Sequence, residues 1–408
     1  MIKFTKRSLL LAAAGSLALA GGSAHAQDAF KVGAINPYSG AVALYGDEVT
    51  RGYELAAEKI NANGGLLGKP IKIIRGNATN AQEAIASIDQ LSTRDNVDVF
   101  IGTYMSAVAA AGSEAALQYD KLYWDTNALA ANLTERGLPN FVRSGPSAGT
   151  FAELSAKAVV DLVANGLGKK PGDLKVWITH EDSVYGTTIG DRQAELLKEA
   201  GVKVVGKTPY SAKSIDLTDV ILRMRDGAPD VWLSTGYIPD SNLLLRTAQG
   251  QNFKPPVTIF NGTADTKETL EALGPAGLEG IFVVSYPRYD ISEKFGPGKD
   301  EYLAAYKAKF GGEPIAPQSL NAYVGFQVMA EAIKAAGGTK PEAVVAAAKA
   351  LNKPLGSYAT GFGVKFDDKM QNGLAFPTVG QWQGGKVVTV YPNEAAVPGV
   401  KPIGLSSK

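Results

Sequence analysis

The chain has 408 residues, 45% of them hydrophobic and 20% charged, with a formal net charge of +1 and no cysteine. That length exceeds one ordinary core and asks for two or more lobes. The near-neutral balance argues against nucleic acid or an anionic membrane as partner, and without cysteine, packing alone must hold the fold.

The chain opens with a three-part pattern. Lys3, Lys6 and Arg7 precede the apolar stretch "LLLAAAGSLALA", which ends at Ala24-His25-Ala26. This reads as a secretory signal peptide over residues 1–26, cut near Gln27; the apolar part is too short to span a bilayer. Lys6-Arg7-Ser8 leaves the export route open. Removing the three positive charges takes the formal charge to −2 and leaves His180 as the only histidine. No second long apolar segment follows, and no cysteine is available for a lipid anchor. The mature chain is expected free in the periplasm, a monomer with no direct membrane insertion.

From Phe30 onward short β-rich runs alternate with helical ones. "FKVGAI", "IKIIRG", "VDVFIG" and "KLYWDT" are each followed by a helix or loop. In the first helix Val49, Tyr53, Ala56 and Ile60 recur at three- and four-residue spacing, and the glycines of "INANGGLLGK" stop it. Strands of this kind, buried on both faces and separated by helices, predict a parallel sheet with right-handed crossovers. The pattern then repeats: "NFVRS" leads into a helix from Ala148, and "LKVWITH", "VKVVGK", "DVWLSTG" and "VTIFNG" alternate with further helices. The expected architecture is α/β, two doubly wound parallel-sheet lobes. Helices over 301–310, 320–336 and 341–351 follow, and "TVGQWQGGKVVTVYP" reads as a hairpin turning at Gly384-Gly385. Crossings between lobes are expected near Arg143–Ser147, Val284–Pro287 and Leu355–Tyr358. These give a first lobe of 28–145 plus 285–355 and a second of 146–284 plus 356–408.

Open parallel sheets meet their ligands at the carboxyl ends of the strands. In the first lobe that rule selects 36–45, 103–107 and 125–127; in the second, 181–185, 235–237 and 261–265. Tyr38, Tyr45, Tyr104, Tyr185 and Tyr237 fall in these loops. Phenols stack and hydrogen-bond, and their gathering points to a cleft for a small polar molecule.

Catalytic patterns are thin. Gly145-Pro146-Ser147-Ala148-Gly149 fits a nucleophile elbow, which sets up an exported serine hydrolase using Ser147 as the rival reading. The required downstream histidine is missing unless His180 serves, and a helix N-cap explains Ser147 more simply. "GPGKDE" lacks the spacing of a phosphate loop. One histidine without cysteine excludes the common zinc sites, so neither metal nor cofactor is expected.

The strings "SGAVALYGDEVTRGYELAAEKINANGGLLGKPIKI", "RDNVDVFIG", "EDSVYG" and "DVWLSTGY" resemble those of the periplasmic solute-binding proteins of branched-chain amino acid and amide ABC importers, and the resemblance covers nearly all of the mature chain. It implies the type I periplasmic-binding fold, three hinge crossovers, a ligand clamped between lobes, and a membrane permease as partner. A ligand sensor of the same fold is the other non-enzymatic reading. Residue by residue, the resemblance assigns the ligand's first-lobe contacts to Ser106 and Ala107 with Thr126 and Asn127 beside them. It places covering tyrosines at Tyr45, Tyr185 and Tyr237, and brings in Tyr104 with Trp124 as a wall. Amino acid receptors of this type carry a glutamate where this chain has Thr263, with Asp265 two residues on, and Leu129 stands where a threonine helps hold a carboxylate. An α-amino acid then requires Asp265, Asp125 or Glu181 to turn inward. An amide, a urea-like solute or a small carboxylate competes with it.

Overall fold

The computed structural model describes residues 28–405; the expected signal peptide, residues 1–26, lies outside them. Two sheets organise the chain. The first has five parallel strands in the order β2-β1-β3-β4-β5: β1 (Phe30–Asn36), β2 (Ile71–Asn77), β3 (Val99–Gly102), β4 (Tyr123–Asp125) and β5 (Phe141–Arg143). Helices α1 (Ala43–Ala62), α2 (Ala81–Thr93), α3 (Ser106–Leu117) and the short α4 (Asn132–Glu135) connect them. Every residue of β3, β4 and β5 is buried, as a sheet covered on both faces requires.

After α5 (Ala148–Ala158) the second sheet is built from β6 (Lys175–Glu181), β7 (Lys203–Tyr210), β8 (Val231–Thr235), β9 (Val257–Asn261) and β10 (Phe282–Ser285). These alternate with α6 (Val184–Glu199), α7 (Thr218–Gly227), α8 (Ile238–Gly250) and α9 (Lys267–Leu278). The chain then returns to the first lobe with α10 (Lys299–Phe310), α11 (Gln318–Ala336) and α12 (Pro341–Ala350), whose Tyr302, Leu320, Phe326 and Val344 share a core with Val32 and Ile101 of the first sheet. It next forms the two-stranded ladder β11 (Asn352–Lys353) and β12 (Val364–Lys365). Finally β13 (Thr378–Gln383) joins β10 antiparallel, and β14 (Lys386–Tyr391) pairs with β13. The hairpin turns at Gly384-Gly385, with φ of +56° and +78°, a conformation that costs glycine little. The second sheet thus has order β14-β13-β10-β9-β8-β6-β7, a parallel doubly wound sheet with an antiparallel edge.

The chain leaves the first sheet after Arg143 and starts α5 at Ala148, and it leaves the second after Ser285 to rejoin the first. The third crossing corrects the expectation of Leu355–Tyr358. Tyr358, Phe362, Val364, Phe366, Met370 and Ala375 all pack in the first-lobe core, so the chain crosses between Ala375 and the start of β13 at Thr378. The β11–β12 ladder is the reason: it folds the intervening residues back onto the first lobe. First and third crossings are tied together. Arg143 N–H donates to the Met370 carbonyl at 3.0 Å and Asn372 N–H to the Arg143 carbonyl at 2.9 Å, while the Gln371 amide donates to the Gly145 carbonyl at 2.9 Å.

Candidate functional site

The carboxyl ends of the two parallel sheets face each other, and four tyrosines meet between them. Tyr45 opens α1, Tyr104 precedes α3, Tyr185 lies in the first turn of α6 and Tyr237 caps α8. Tyr45 and Tyr104 stack with centroids 4.3 Å apart. Tyr104 meets Tyr237 of the other lobe edge-on at 6.0 Å, and Tyr237 meets Tyr185 at 5.4 Å. Val42, Tyr45 and Tyr104 form one apolar cluster with Ile238 across the gap. The Tyr45 hydroxyl also reaches Asp265 Oδ1 at 3.4 Å, so the lobes are closed on each other.

The space left between the rings is about 10 Å³, lined by Tyr104, Asn127, Leu129, Tyr185, Tyr237, Gly262 and Tyr286. That is room for about one water molecule. Gly262 permits the approach of the Tyr185 ring: its φ is +68°, and a Cβ there would lie 2.4 Å from the Tyr185 hydroxyl. Burial pushes the phenols of Tyr45, Tyr104, Tyr185, Tyr237 and Tyr286 above their usual range, so at neutral pH they are uncharged hydrogen-bonding groups.

Of the residues expected at the site, Tyr45, Tyr104, Asn127, Tyr185, Tyr237, Thr263 and Asp265 converge here. Trp124 does not, which is a correction. Its indole N–H donates to Ser144 Oγ at 3.0 Å and its ring meets Phe366 at 5.8 Å, inside the first-lobe core. Thr126 lies beneath the cleft, its hydroxyl 2.6 Å from that of Tyr53. Ser106 turns its hydroxyl to accept the Ala130 N–H at 3.1 Å, and Ala107 is exposed; what these residues offer the cleft is the start of α3, which has no side-chain cap and no acidic residue in its first turn. Tyr38 is also apart, with its hydroxyl 2.7 Å from Thr50 Oγ1 and the Arg75 guanidinium over its ring. Tyr286 was missed: it stands in a crossing, and its hydroxyl donates to the Asn127 carbonyl.

The acidic groups are all engaged. Glu181 accepts from the N–H groups of Ser183 at 2.8 Å and Gly186 at 2.7 Å, closing the start of α6. Asp125 accepts from the N–H groups of Ala128 at 3.0 Å and Thr103 at 3.2 Å, and burial pushes its carboxyl up to about 8. Asp265 accepts from Ser285 Oγ at 2.8 Å and pairs with the Arg288 guanidinium at 3.6 Å. None is left free for a cationic guest. By contrast, the Tyr104 hydroxyl is buried without a partner.

Asp240 carries a pH dependence. It accepts the Tyr237 N–H at 3.0 Å and the Tyr210 hydroxyl at 2.8 Å, holding Tyr237 at the cleft. Burial, the largest influence, raises its carboxyl from 3.8 to about 7. The folded value lies above the unfolded one, so the folded state binds the proton more tightly; that stabilisation is complete below about pH 4 and is lost as pH rises through about 7. Asp240→Asn should therefore flatten the fall in melting temperature between pH 4 and 7, leaving the part due to Asp125. A slope equal to that of the unaltered protein would show that Asp240 titrates normally.

The hydrolase reading fails on geometry. Ser147 Oγ accepts the Thr150 N–H at 3.2 Å while Thr150 Oγ1 accepts the Ser147 N–H at 3.1 Å, a reciprocal helix cap. The ring of His180 lies against Gly190 of α6, with Nδ1 3.0 Å from the Glu181 carbonyl oxygen. Among the described residues no helix is long and apolar enough to cross a membrane, and no cluster of three or more acidic or histidine side chains could hold a metal ion.

Comparison with known proteins agrees with this geometry. The family profile described as "Periplasmic binding protein" matches residues 29–386. The chain is 37% identical over 368 residues to the Leu/Ile/Val-binding protein homolog 8 of Brucella abortus, covering 90% of this chain and 91% of that one. Among solved structures it resembles the branched-chain amino acid transporter substrate binding protein LivJ of Streptococcus pneumoniae in complex with isoleucine, with TM-score 0.74, 21% identity, and coverage of 89% of this chain and 100% of that one. It equally resembles an ABC transporter solute binding protein of R. palustris in complex with benzoate, with TM-score 0.74, 20% identity, and coverage of 92% and 99%.

Proposed function

The chain belongs to the periplasmic binding protein family, and we propose that it is the periplasmic receptor of an ABC importer whose cargo is a small carboxylate without an α-ammonium group. It binds a solute and is not an enzyme. The observation that carries the cargo class is the engagement of Asp125, Glu181 and Asp265 by protein donors. An ammonium here would have to share a carboxylate that already accepts protein donors, and with Asp265 paired to Arg288 it would enter with its own charge incompletely paired, which costs several kcal/mol when buried. A carboxylate meets the reverse situation. The uncapped, acid-free start of α3 offers N–H donors and the positive end of a helix dipole, while α6 and α8 have acids, Glu181 and Asp240, at theirs.

Of the ligands bound in the two similar structures named above, benzoate suits this electrostatics and isoleucine does not. The lobes would part to admit the acid and shut over it, with Tyr185 and Tyr237 arriving from the second lobe. A permease would read the spacing of the lobe surfaces; the receptor would act as a monomer, delivered by the signal peptide over residues 1–26. The moving bodies are 28–145 with 285–376 against 146–284 with 377–405. Calorimetric titration with benzoate, isoleucine, leucine, acetamide and urea tests the cargo class. We expect binding of benzoate and none of either amino acid; binding confined to isoleucine and leucine overturns the proposal.

A further inference from the structure

We propose that Tyr104 is a displaceable internal stand-in for the ligand's own ring, and that the cleft therefore selects a flat aromatic acid over an aliphatic one. This rests on the carboxylate reading above and adds the shape of the group behind the carboxylate.

Four observations carry it. Tyr104 belongs to the first lobe, yet its ring lies at the centre of the closed cleft, stacked on Tyr45 at 4.3 Å and met edge-on by Tyr237 at 6.0 Å. Offset stacking on one face with an edge contact on another is the arrangement a bound aromatic ring seeks. With Tyr104 there and the lobes as closely shut as they are here, only about 10 Å³ remains, so a solute larger than water fits this closed arrangement only by taking the place of a side chain. The Tyr104 hydroxyl is buried and bonded to nothing, so this phenol is held less well than a guest that could pair its polar end. Finally, Tyr104 stands two residues before the start of α3 at Ser106. Swinging it out opens the space in front of those N–H donors, where a carboxylate attached to the replacing ring would lie.

The consequence is a competition. Ligand binds only to molecules in which Tyr104 has left the cleft, so the apparent affinity is the intrinsic one reduced by that fraction. Removing the Tyr104 hydroxyl while keeping its ring deletes the unpaired group and strengthens the plug; removing the ring deletes the competitor. The two substitutions should therefore act in opposite directions. If Tyr104 were an ordinary wall, loss of the ring would be the more damaging.

The test combines two readouts. The chain has no native cysteine, so spin labels at Lys72→Cys on β2 and Lys203→Cys on β7, both exposed edge-strand positions, report lobe separation by pulsed dipolar spectroscopy. Without ligand, Tyr104→Ala should shift the distance distribution to longer values than Tyr104→Phe and the unaltered residue. Calorimetry should show 4-hydroxybenzoate binding to Tyr104→Phe weakened about tenfold, the scale of an unpaired buried hydroxyl, and binding to Tyr104→Ala undiminished or tighter. Label distances that coincide in all three proteins, or tighter binding by Tyr104→Phe than by Tyr104→Ala, overturn the stand-in. Cyclohexanecarboxylate bound as tightly as benzoate overturns the ring selectivity while leaving the carboxylate reading intact. Isoleucine bound in preference to both acids overturns the carboxylate reading, and the ring selectivity with it.

Discussion

Arg143→Ala should destabilise the protein by about 3–5 kcal/mol, because three acceptors lose their charged donor at about 1–3 kcal/mol each. The side chain is 1% exposed. Its Nη1 donates to the carbonyls of Ala128 at 3.2 Å and Ala130 at 2.7 Å, its Nε donates to Gln371 Oε1, and its charge faces the buried Asp125. Truncation would orphan two carbonyls in the loop that carries Asn127 and Leu129, release the amide that links the first and third crossings, and leave Asp125 without its cation. Burial already raises Asp125 to about 8 and lowers Arg143 to about 10, so in the variant Asp125 would remain protonated to higher pH, which softens the loss without cancelling it. Arg143→Lys keeps the charge and loses the planar fork, and should fall between the two. Denaturant unfolding followed by far-ultraviolet circular dichroism measures both. An Arg143→Ala protein within 1 kcal/mol of the parent would mean that the crossings are held by their backbone bonds alone.

The lobes and the tyrosine cleft were legible because each depends on periodic or positional information. Strands such as "VDVFIG" are buried throughout, helices keep their apolar spacing, and ligand loops sit at strand ends whatever the tertiary detail. Trp124 shows where that information stops. It lies on β4 one residue before the strand ends, but the strand-end rule fixes a position along the chain and not which face of the sheet a side chain occupies. Its indole points into the first-lobe core, against Phe366.

The third crossing failed for a similar reason. Pro354, Leu355 and Gly356 carry the turn chemistry of a hinge, yet they close a loop whose arms pair as Asn352 with Lys365 and Lys353 with Val364, and a two-residue ladder leaves little trace in composition. Tyr286 lay in an expected crossing, so nothing marked it as a cleft residue. The state of the carboxylates was beyond reach altogether. Glu181 serves the N–H of Gly186 and Asp265 serves Ser285 and Arg288, and both facts depend on backbone paths that the residue types do not encode.

Thr263→Glu should invert the ligand preference. Thr263 is fully buried just past the end of β9, with its side chain beside the Tyr45 hydroxyl; the resemblance to amino acid receptors places their ammonium-binding glutamate at this position. A carboxylate introduced here would face the guest's carboxylate across the closed cleft. At about 4–6 Å and an effective dielectric constant of about 20, two like charges repel by roughly 3–4 kcal/mol, so benzoate binding should weaken by two to three orders of magnitude. The ammonium of isoleucine would gain an attraction of similar size, while its carboxylate kept the start of α3. The variant's empty closed form would bury an unpaired charge, so it should stand further open without ligand. Thr263→Gln is the necessary control, because glutamine adds nearly the same volume without the charge. If Thr263→Gln and Thr263→Glu lose benzoate equally in calorimetry at pH 7.5, crowding explains the effect and charge at this position does not choose the guest. If only Thr263→Glu loses it and isoleucine binding appears, then a single neutral residue on the second lobe separates an acid receptor from an amino acid receptor on the same frame.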